Sequence, residues 1–158
     1  MAIEIERKFL VKNIPRDEIQ YSHKIRQGYI AKNKDRVIRI RQKENDYFIT
    51  IKGNKIGISR FEFEYPIPKV DAEILLENFC QDDLIEKTRH YIENKGHTWE
   101  LDVFHGNNEG LIIAEIELES EDQVFHIPSW TDCEVTDQEK YYNMNLVENP
   151  YSMWSCNL

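Results

Sequence analysis

Two glutamates and a lysine at alternate positions, Glu4, Glu6 and Lys8, stand at the start of the chain within Glu4-Ile5-Glu6-Arg7-Lys8-Phe9-Leu10. In an extended strand successive side chains point to opposite faces, so these three share one face while Ile5, Arg7 and Phe9 share the other. Paired carboxylates can hold a divalent cation through hard oxygen ligands, and the ammonium can hold an anion such as a phosphate. The same sorting recurs along the chain. Arg39 and Arg41 alternate with isoleucines, Lys52 follows Ile51, and Arg60, Glu62 and Glu64 alternate with Phe61, Phe63 and Tyr65. Lys87 and Arg89 share a face, Glu100 and Asp102 oppose Trp99, Leu101 and Val103, and Glu115 and Glu117 alternate with Ile116 and Leu118.

The elements that must position these residues are mostly strands. Period-2 alternation predicts strands over 2–11, 24–31, 36–43, 46–52, 59–67, 84–93, 98–104 and 111–119, with hairpin turns near Asn45, Asn54 and Gly96. Asp71 is an N-cap candidate for a helix running to Phe79, and 121–125 and 138–147 are short helical candidates. No linker or low-complexity tract interrupts the pattern, so residues 1–158 are expected to form one mainly β (α+β) domain.

Composition narrows the function classes. With 29 acidic against 20 basic side chains the formal charge is −9, which argues against nonspecific binding to nucleic acid or to an anionic membrane. Cys80, Cys133 and Cys156 are odd in number and form no CxxC pair, which fits a reducing, cytoplasmic setting better than a disulfide framework or a structural zinc site. No apolar run approaches the ~20 residues a spanning helix needs. The five histidines, His23, His90, His97, His105 and His126, show no metal spacing and are read as surface or packing residues, and there is no Walker loop or GxGxxG.

Patterning alone leaves two arrangements open. In an ordinary antiparallel sheet the apolar stripe faces a core and the charged stripe faces water. Alternatively the sheet closes into a barrel with the charges inside and its apolar exterior covered by helices or by a second copy, which leaves room for a homodimer. Eight acids and seven bases would then share the interior. Burying so many charges is costly unless they pair, stay hydrated or bind ions, so such a barrel makes sense chiefly as a ligand site.

Glu4-x-Glu6-x-Lys8 resembles the ExExK motif of the CYTH superfamily, the triphosphate tunnel metalloenzymes. Arg39-x-Arg41, Lys52, Glu62-x-Glu64, Lys87-x-Arg89, Glu100-x-Asp102 and Glu115-x-Glu117 follow in the family's order, over roughly three quarters of the chain. The resemblance implies a closed eight-stranded antiparallel β-barrel, with a few covering helices, whose polar tunnel binds a triphosphate and Mg²⁺ or Mn²⁺. It also implies roles. Glu4, Glu6, Glu115 and Glu117 look like the metal-organising, catalytic carboxylates, with Asp102 a supporting metal ligand and Lys8 a catalytic or phosphate-binding amine. Lys8, Arg39, Arg41, Lys52, Arg60, Lys87 and Arg89 look like the phosphate cradle, and Glu62, Glu64 and Glu100 like supporting tunnel wall.

The implied reaction is hydrolysis of inorganic tripolyphosphate to pyrophosphate and orthophosphate, by water attack on a terminal phosphorus without a covalent nucleophile. The same tunnel suits a nucleoside or thiamine triphosphatase, or a class IV adenylyl cyclase, although no adenine pocket is evident. A noncatalytic polyphosphate-binding module would keep the cations and lose the metal-organising acids, which are all present here. Arg26 is a candidate for the tunnel rim, and Glu139-Lys140-Tyr141-Tyr142 is expected to begin a helix closing one mouth, with Lys140 and Tyr141 as its candidate site residues. Trp130 and Trp154 are expected to cover apolar barrel surface or a dimer contact.

Overall fold

A computed structural model describes residues 2–80 and 84–157. Nine strands and two short helices occur in the order β1 (Ile3–Val11), β2 (Ile19–Lys32), β3 (Val37–Lys43), β4 (Asp46–Lys52), β5 (Ser59–Pro66), α1 (Lys69–Asn78), β6 (Ile85–Asn94), β7 (His97–Phe104), β8 (Ile112–Glu117), β9 (Thr131–Glu134) and α2 (Asn143–Leu146). The strands pair antiparallel in the order β5-β4-β3-β2-β6-β7-β8-β1. The sheet closes where Ile3, Glu4 and Ile5 of β1 pair with Phe61, Arg60 and Ser59 of β5. The outcome is the expected eight-stranded barrel with one extra strand, β9, which continues along β1 past the end of β5.

Closure gives the two side-chain periods of every strand different fates. On the outer face, α1 lays Ala72 and Leu76 over Ile40 and Tyr47, with Cys80 beside them. Gly28 of β2 makes this approach possible, because a Cβ there would lie 2.9 Å from the Cys80 side chain and 2.7 Å from Leu84. A second outer cluster joins Phe9, Trp99, Leu101, Ala114 and Ile116 to Trp130, with Ile14 and Phe125 packed against it. Inside one mouth, Tyr29, Val37, Ile85, Phe104 and Ile113 pack on Val135, Tyr141 and Leu146 of the C-terminal segment. That segment therefore plugs the barrel at one end.

Much of the apolar outer face is covered by the chain, but a strip on β5 is not. Phe61, Phe63 and Tyr65 of β5 are 58%, 40% and 55% exposed, and neighbouring Ile51 and Ile3 are 39% and 42% exposed. This uncovered strip belongs to the apolar exterior that the alternation requires.

Several elements differ from expectation. α1 begins at Lys69 behind Pro68, whose extended backbone serves as the N-cap, so Asp71 sits inside the first turn. Residues 121–125 are turn and irregular chain, and the expected helix over 138–147 divides into a short 3-10 turn and the four-residue α2. β9 escaped the alternation argument because it has only four residues, Thr131 buried and the other three exposed. It is pinned by Arg7, whose guanidinium donates to both Glu134 oxygens at 2.8 and 2.6 Å. Cys80 and Cys133 are free thiols, whereas the side chain of Cys156 lies outside those described. No described helix is long and apolar enough to cross a membrane.

The covering pattern predicts a contrast. Trp99, fully buried between Phe9 and Trp130, should cost about 3–5 kcal/mol of unfolding free energy when replaced by alanine. Phe63→Ala on the uncovered strip should cost less than about 1 kcal/mol in dilute protein. Equal losses in chemical denaturation would contradict this division of the exterior.

Candidate triphosphate tunnel

The inner periods converge on a cavity of about 220 Å³. Fourteen of the fifteen charged residues singled out by alternation line it: Glu4, Glu6, Lys8, Arg39, Arg41, Lys52, Arg60, Glu62, Glu64, Lys87, Arg89, Glu100, Glu115 and Glu117. Strand order sorts them by sign. The arc β4-β3-β2-β6 contributes Lys52, Arg39, Arg41, Lys87 and Arg89 and no acid, whereas β7, β8, β1 and β5 contribute all the lining glutamates. A basic wall therefore faces a wall rich in acids.

On the acidic side register brings carboxylates together. Glu6 is opposite Glu117 and Lys8 is opposite Glu115 across β1 and β8, and Glu100 is opposite Glu115 across β7 and β8. Burial, followed by the charges of Glu115 and Glu4, raises the Glu6 carboxyl well above the usual carboxylate range. Burial alone would raise Glu115 as well, but Lys8, a hydrogen bond with Glu6 and Arg89 hold it far below. Glu62, desolvated and hydrogen-bonded to Glu4, rises to about 7. Lys52 bridges this pair, with its Nζ 3.0 Å from Glu4 and 3.4 Å from Glu62. Glu117 is raised by burial and by Glu4 and Glu100. Such mutual repulsion among hard oxygen donors is the environment that a divalent cation relieves. Among the described residues, no three acidic, histidine or cysteine side chains form a ready-made metal cluster.

On the basic side the cations are only partly satisfied. Arg39 donates through Nη2 to Thr50 at 3.0 Å and to Glu64 at 3.4 Å, while its buried Nε has no partner among the described residues. Arg60 donates to the Gly53 carbonyl at 3.1 and 2.7 Å. Arg41 donates Nε to the Gln27 side-chain oxygen at 2.8 Å, and burial together with Arg39 and Arg89 lowers it to about 10. Lys87, with only 1% of its side chain exposed, is lowered to about 7 by burial and by Arg89 and Arg41, against the pull of Asp102. An unsatisfied guanidinium nitrogen and cations held close to one another are complementary to a polyanion.

Asp102 is the one of the fifteen alternating charged residues that does not line the cavity. It is fully buried, and its oxygens receive Arg89 Nε at 2.8 Å, Arg89 Nη2 at 2.9 Å and Lys87 Nζ at 2.7 Å. Both oxygens are therefore engaged by cations, behind the wall that the other charged residues form. Arg26 also lies elsewhere, on the outer face, held by Glu73 of α1 at 2.8 Å and by Gln42. None of the histidines lines the cavity.

The C-terminal plug supplies residues that alternation missed. Lys140 stacks over Tyr141 and Trp154, and Tyr141 is buried in the core cluster, so neither reaches the tunnel. Their neighbours Tyr142, Asn143 and Met144 line it instead. The Tyr142 ring lies under Lys8 and Lys55 at 5.3 and 5.0 Å, and Asn143 Oδ1 accepts from Lys87 Nζ at 2.7 Å. Trp130 covers barrel exterior as expected, while Trp154 packs on Tyr141 and Tyr151 of the plug. Lys43 continues the parity of Arg39 and Arg41 and was readable from it, but Lys55, Tyr142 and Asn143 belong to no strand and carry no period.

Comparison with known proteins gives the family and the fold. The family model described as the CYTH domain matches residues 2–145. An inorganic triphosphatase of Acetivibrio thermocellus is 46% identical over 151 residues, spanning 96% of this chain and 97% of its own. One from Nitrosomonas europaea is 39% identical over 147 residues, spanning 90% and 95%. The crystal structure of the inorganic triphosphatase NE1496 superposes with a TM-score of 0.68 at 36% identity, covering 93% of this chain and 95% of that one. A putative adenylate cyclase from Bacillus halodurans shares the fold at a TM-score of 0.61 and 22% identity. With its charged interior, its register and a family match over nearly its whole length, the chain belongs to the CYTH domain family.

Proposed function

We propose that this protein hydrolyses inorganic tripolyphosphate to pyrophosphate and orthophosphate in its tunnel, with Mg²⁺ or Mn²⁺ as cofactor. The carrying observation is the separation of a basic arc from an acid-rich arc around one small cavity. A polyanion with its metal has matching polarity. At about 220 Å³ the cavity is smaller than the ~300–1,000 Å³ typical of sites for drug-sized ligands, which favours an inorganic chain over a nucleotide. The names of the curated relatives point the same way.

Glu4, Glu6, Glu115 and Glu117 are the proposed metal-binding carboxylates, and their oxygen-only chemistry suits Mg²⁺ or Mn²⁺. When bound, a divalent ion would offset substrate charge and acidify a water molecule. Arg39, Arg41, Lys52, Arg60, Lys87, Arg89 and Lys8 hold the phosphate oxygens and align the chain. Their fixed charges stabilise the transferring phosphoryl group and the departing pyrophosphate. A new bond forms from water oxygen to the terminal phosphorus, the bridging P–O bond breaks, and a carboxylate of the acidic wall takes the water proton. Glu62, Glu64 and Glu100 orient Lys52, Arg39 and Arg89. Asp102 acts behind the wall by aiming Arg89 and Lys87.

Three outcomes test this reading. Purified protein with Mg²⁺ or Mn²⁺ should release equal amounts of orthophosphate and pyrophosphate from tripolyphosphate, and a chelator should stop it; cyclic AMP formed from ATP in preference would overturn the assignment. Changing a group that only hydrogen-bonds to a metal ligand already costs about 10–100-fold, so Glu6→Gln should cost at least about 100-fold in kcat and also abolish thermal stabilisation by the metal. Retained turnover would remove Glu6 from the site.

Asp102→Asn leaves Arg89 and Lys87 short of their buried counter-ion and should cost about 3–5 kcal/mol of stability at neutral pH. Burial raises the Asp102 carboxyl, yet Arg89 and Lys87 bring it below its ordinary value. Its contribution is therefore complete above the unfolded carboxylate pKa and is lost as pH falls through the folded one. Wild type and variant should accordingly converge in stability toward strongly acidic pH, and a constant difference across the range would refute the assignment.

A further inference from the structure

Arg39, Lys52, Lys87 and Arg89 of the tunnel each have a carboxylate partner, but Arg41 is held by a neutral side-chain amide, and a second amide joins Asp102 on Lys87. Arg41 lies in the middle of the basic arc with no carboxylate at ion-pair distance among the described residues, and its Nε is received by the side-chain amide oxygen of Gln27 at 2.8 Å. Gln27 is completely buried on the inner face of β2. Its own nitrogen donates to the Tyr29 hydroxyl at 2.8 Å and to Asn143 Oδ1 at 3.4 Å. That same Asn143 oxygen, on the C-terminal plug, receives Lys87 Nζ at 2.7 Å. Gln27 and Asn143 thus form a bridge of neutral amides across the plugged end of the tunnel, from Arg41 on β3 to Lys87 on β6.

The chemistry of these contacts depends on their neutrality. An amide oxygen accepts a hydrogen bond and so fixes the direction of a guanidinium or ammonium group. It brings no formal charge, so the cation keeps its attraction for an anion. A carboxylate in the same place would orient as well and would also cancel the field that the ligand needs. In addition, Arg41 and Lys87 can only donate, so they fix Gln27 Oε1 and Asn143 Oδ1 as the acceptors and leave the Gln27 nitrogen to donate to the Tyr29 hydroxyl and to Asn143.

We propose that Gln27 and Asn143 are positioning residues, that Gln27 holds Arg41 toward the triphosphate without neutralising it while Asn143 steers Lys87 and adds no charge to that of Asp102, and that the C-terminal plug is thereby part of the substrate site. This rests on the assignment of tripolyphosphate to the tunnel. Neither residue touches the reacting atoms; they act through the two cations.

The test is charge insertion at constant shape. Gln27→Glu keeps the acceptor oxygen beside Arg41 and adds one negative charge, and Asn143→Asp does the same beside Lys87 at a less buried position. Each variant is assayed for tripolyphosphate hydrolysis with Mg²⁺, for tripolyphosphate binding by calorimetry with Ca²⁺ in place of Mg²⁺, and for melting temperature. The expected result is a rise of about tenfold or more in KM and Kd, one tenfold step being a modest electrostatic loss, with the melting temperature unchanged or raised by the new ion pair. Gln27→Ala should instead weaken both binding and stability. Wild-type KM and Kd in both Gln27→Glu and Asn143→Asp would overturn the proposal, since a merely structural amide tolerates the acid if the fold does. Failure of wild-type protein itself to bind or cleave tripolyphosphate would overturn the underlying assignment and would be seen before any variant is made.

Discussion

The rest of the structure depends on one constraint: opposite charges must face one another inside a closed barrel. Removing so many ionised groups from bulk water is costly, and the cost is met by pairing, by hydrogen bonding and by ligands that carry charge. Closure provides the geometry, because β1 pairs with β8 on one edge and with β5 on the other and so leaves the barrel no unprotected seam. The exterior follows from the same choice. With polar side chains turned inward, the apolar stripes turn outward and need α1, the Trp99–Trp130 cluster and the loops around it to shelter them.

Inside, the charges divide into those that are spent and those that remain available. Asp102 fully engages Arg89 and Lys87 from behind the wall, which stiffens both side chains. Glu4 and Glu62 share Lys52. Arg39, by contrast, keeps a buried Nε with no partner among the described residues, and Arg41 is held by a neutral group. A site for a highly charged ligand needs both kinds of contact. Complete pairing would leave no field to attract the ligand, and no pairing would leave the cations repelling one another and the barrel unstable.

The strands and the tunnel wall were legible in the sequence because both express the same period. A strand whose inner positions read Arg39, Arg41, Lys43 announces its direction and its contents together. What alternation cannot do is separate a wall residue from one buried behind the wall. Asp102 has the parity of Glu100, yet cross-strand pairing with Arg89 draws its carboxylate away from the cavity. Nor could it find Lys55, Tyr142 or Asn143, which reach the tunnel from a hairpin loop and from a short helix start where no repeat exists. In the plug, the sequence pointed one or two residues too early, because a tight 3-10 turn over Glu139–Tyr141 directs Tyr141 into the core and leaves Tyr142 and Asn143 facing inward.

The position of β1 in the barrel also sets a timetable for biosynthesis. Glu4, Glu6 and Lys8 are made before the rest of the barrel, and their neighbours Glu115 and Glu117 are made more than a hundred residues later. The Arg7–Glu134 contact that fastens β9 joins positions 127 residues apart. A nascent chain must therefore carry Glu6 to Leu10 of this strand without their β8 partners until late in translation, β5 being a partner only for Ile3 to Ile5, and the acidic wall cannot assemble before β8 has emerged. Non-local closure of this kind places the protein among slow folders, on the order of milliseconds to seconds after release. The alternating charges of that first strand are useful during the wait, because they make it a poor template for pairing with a neighbouring chain.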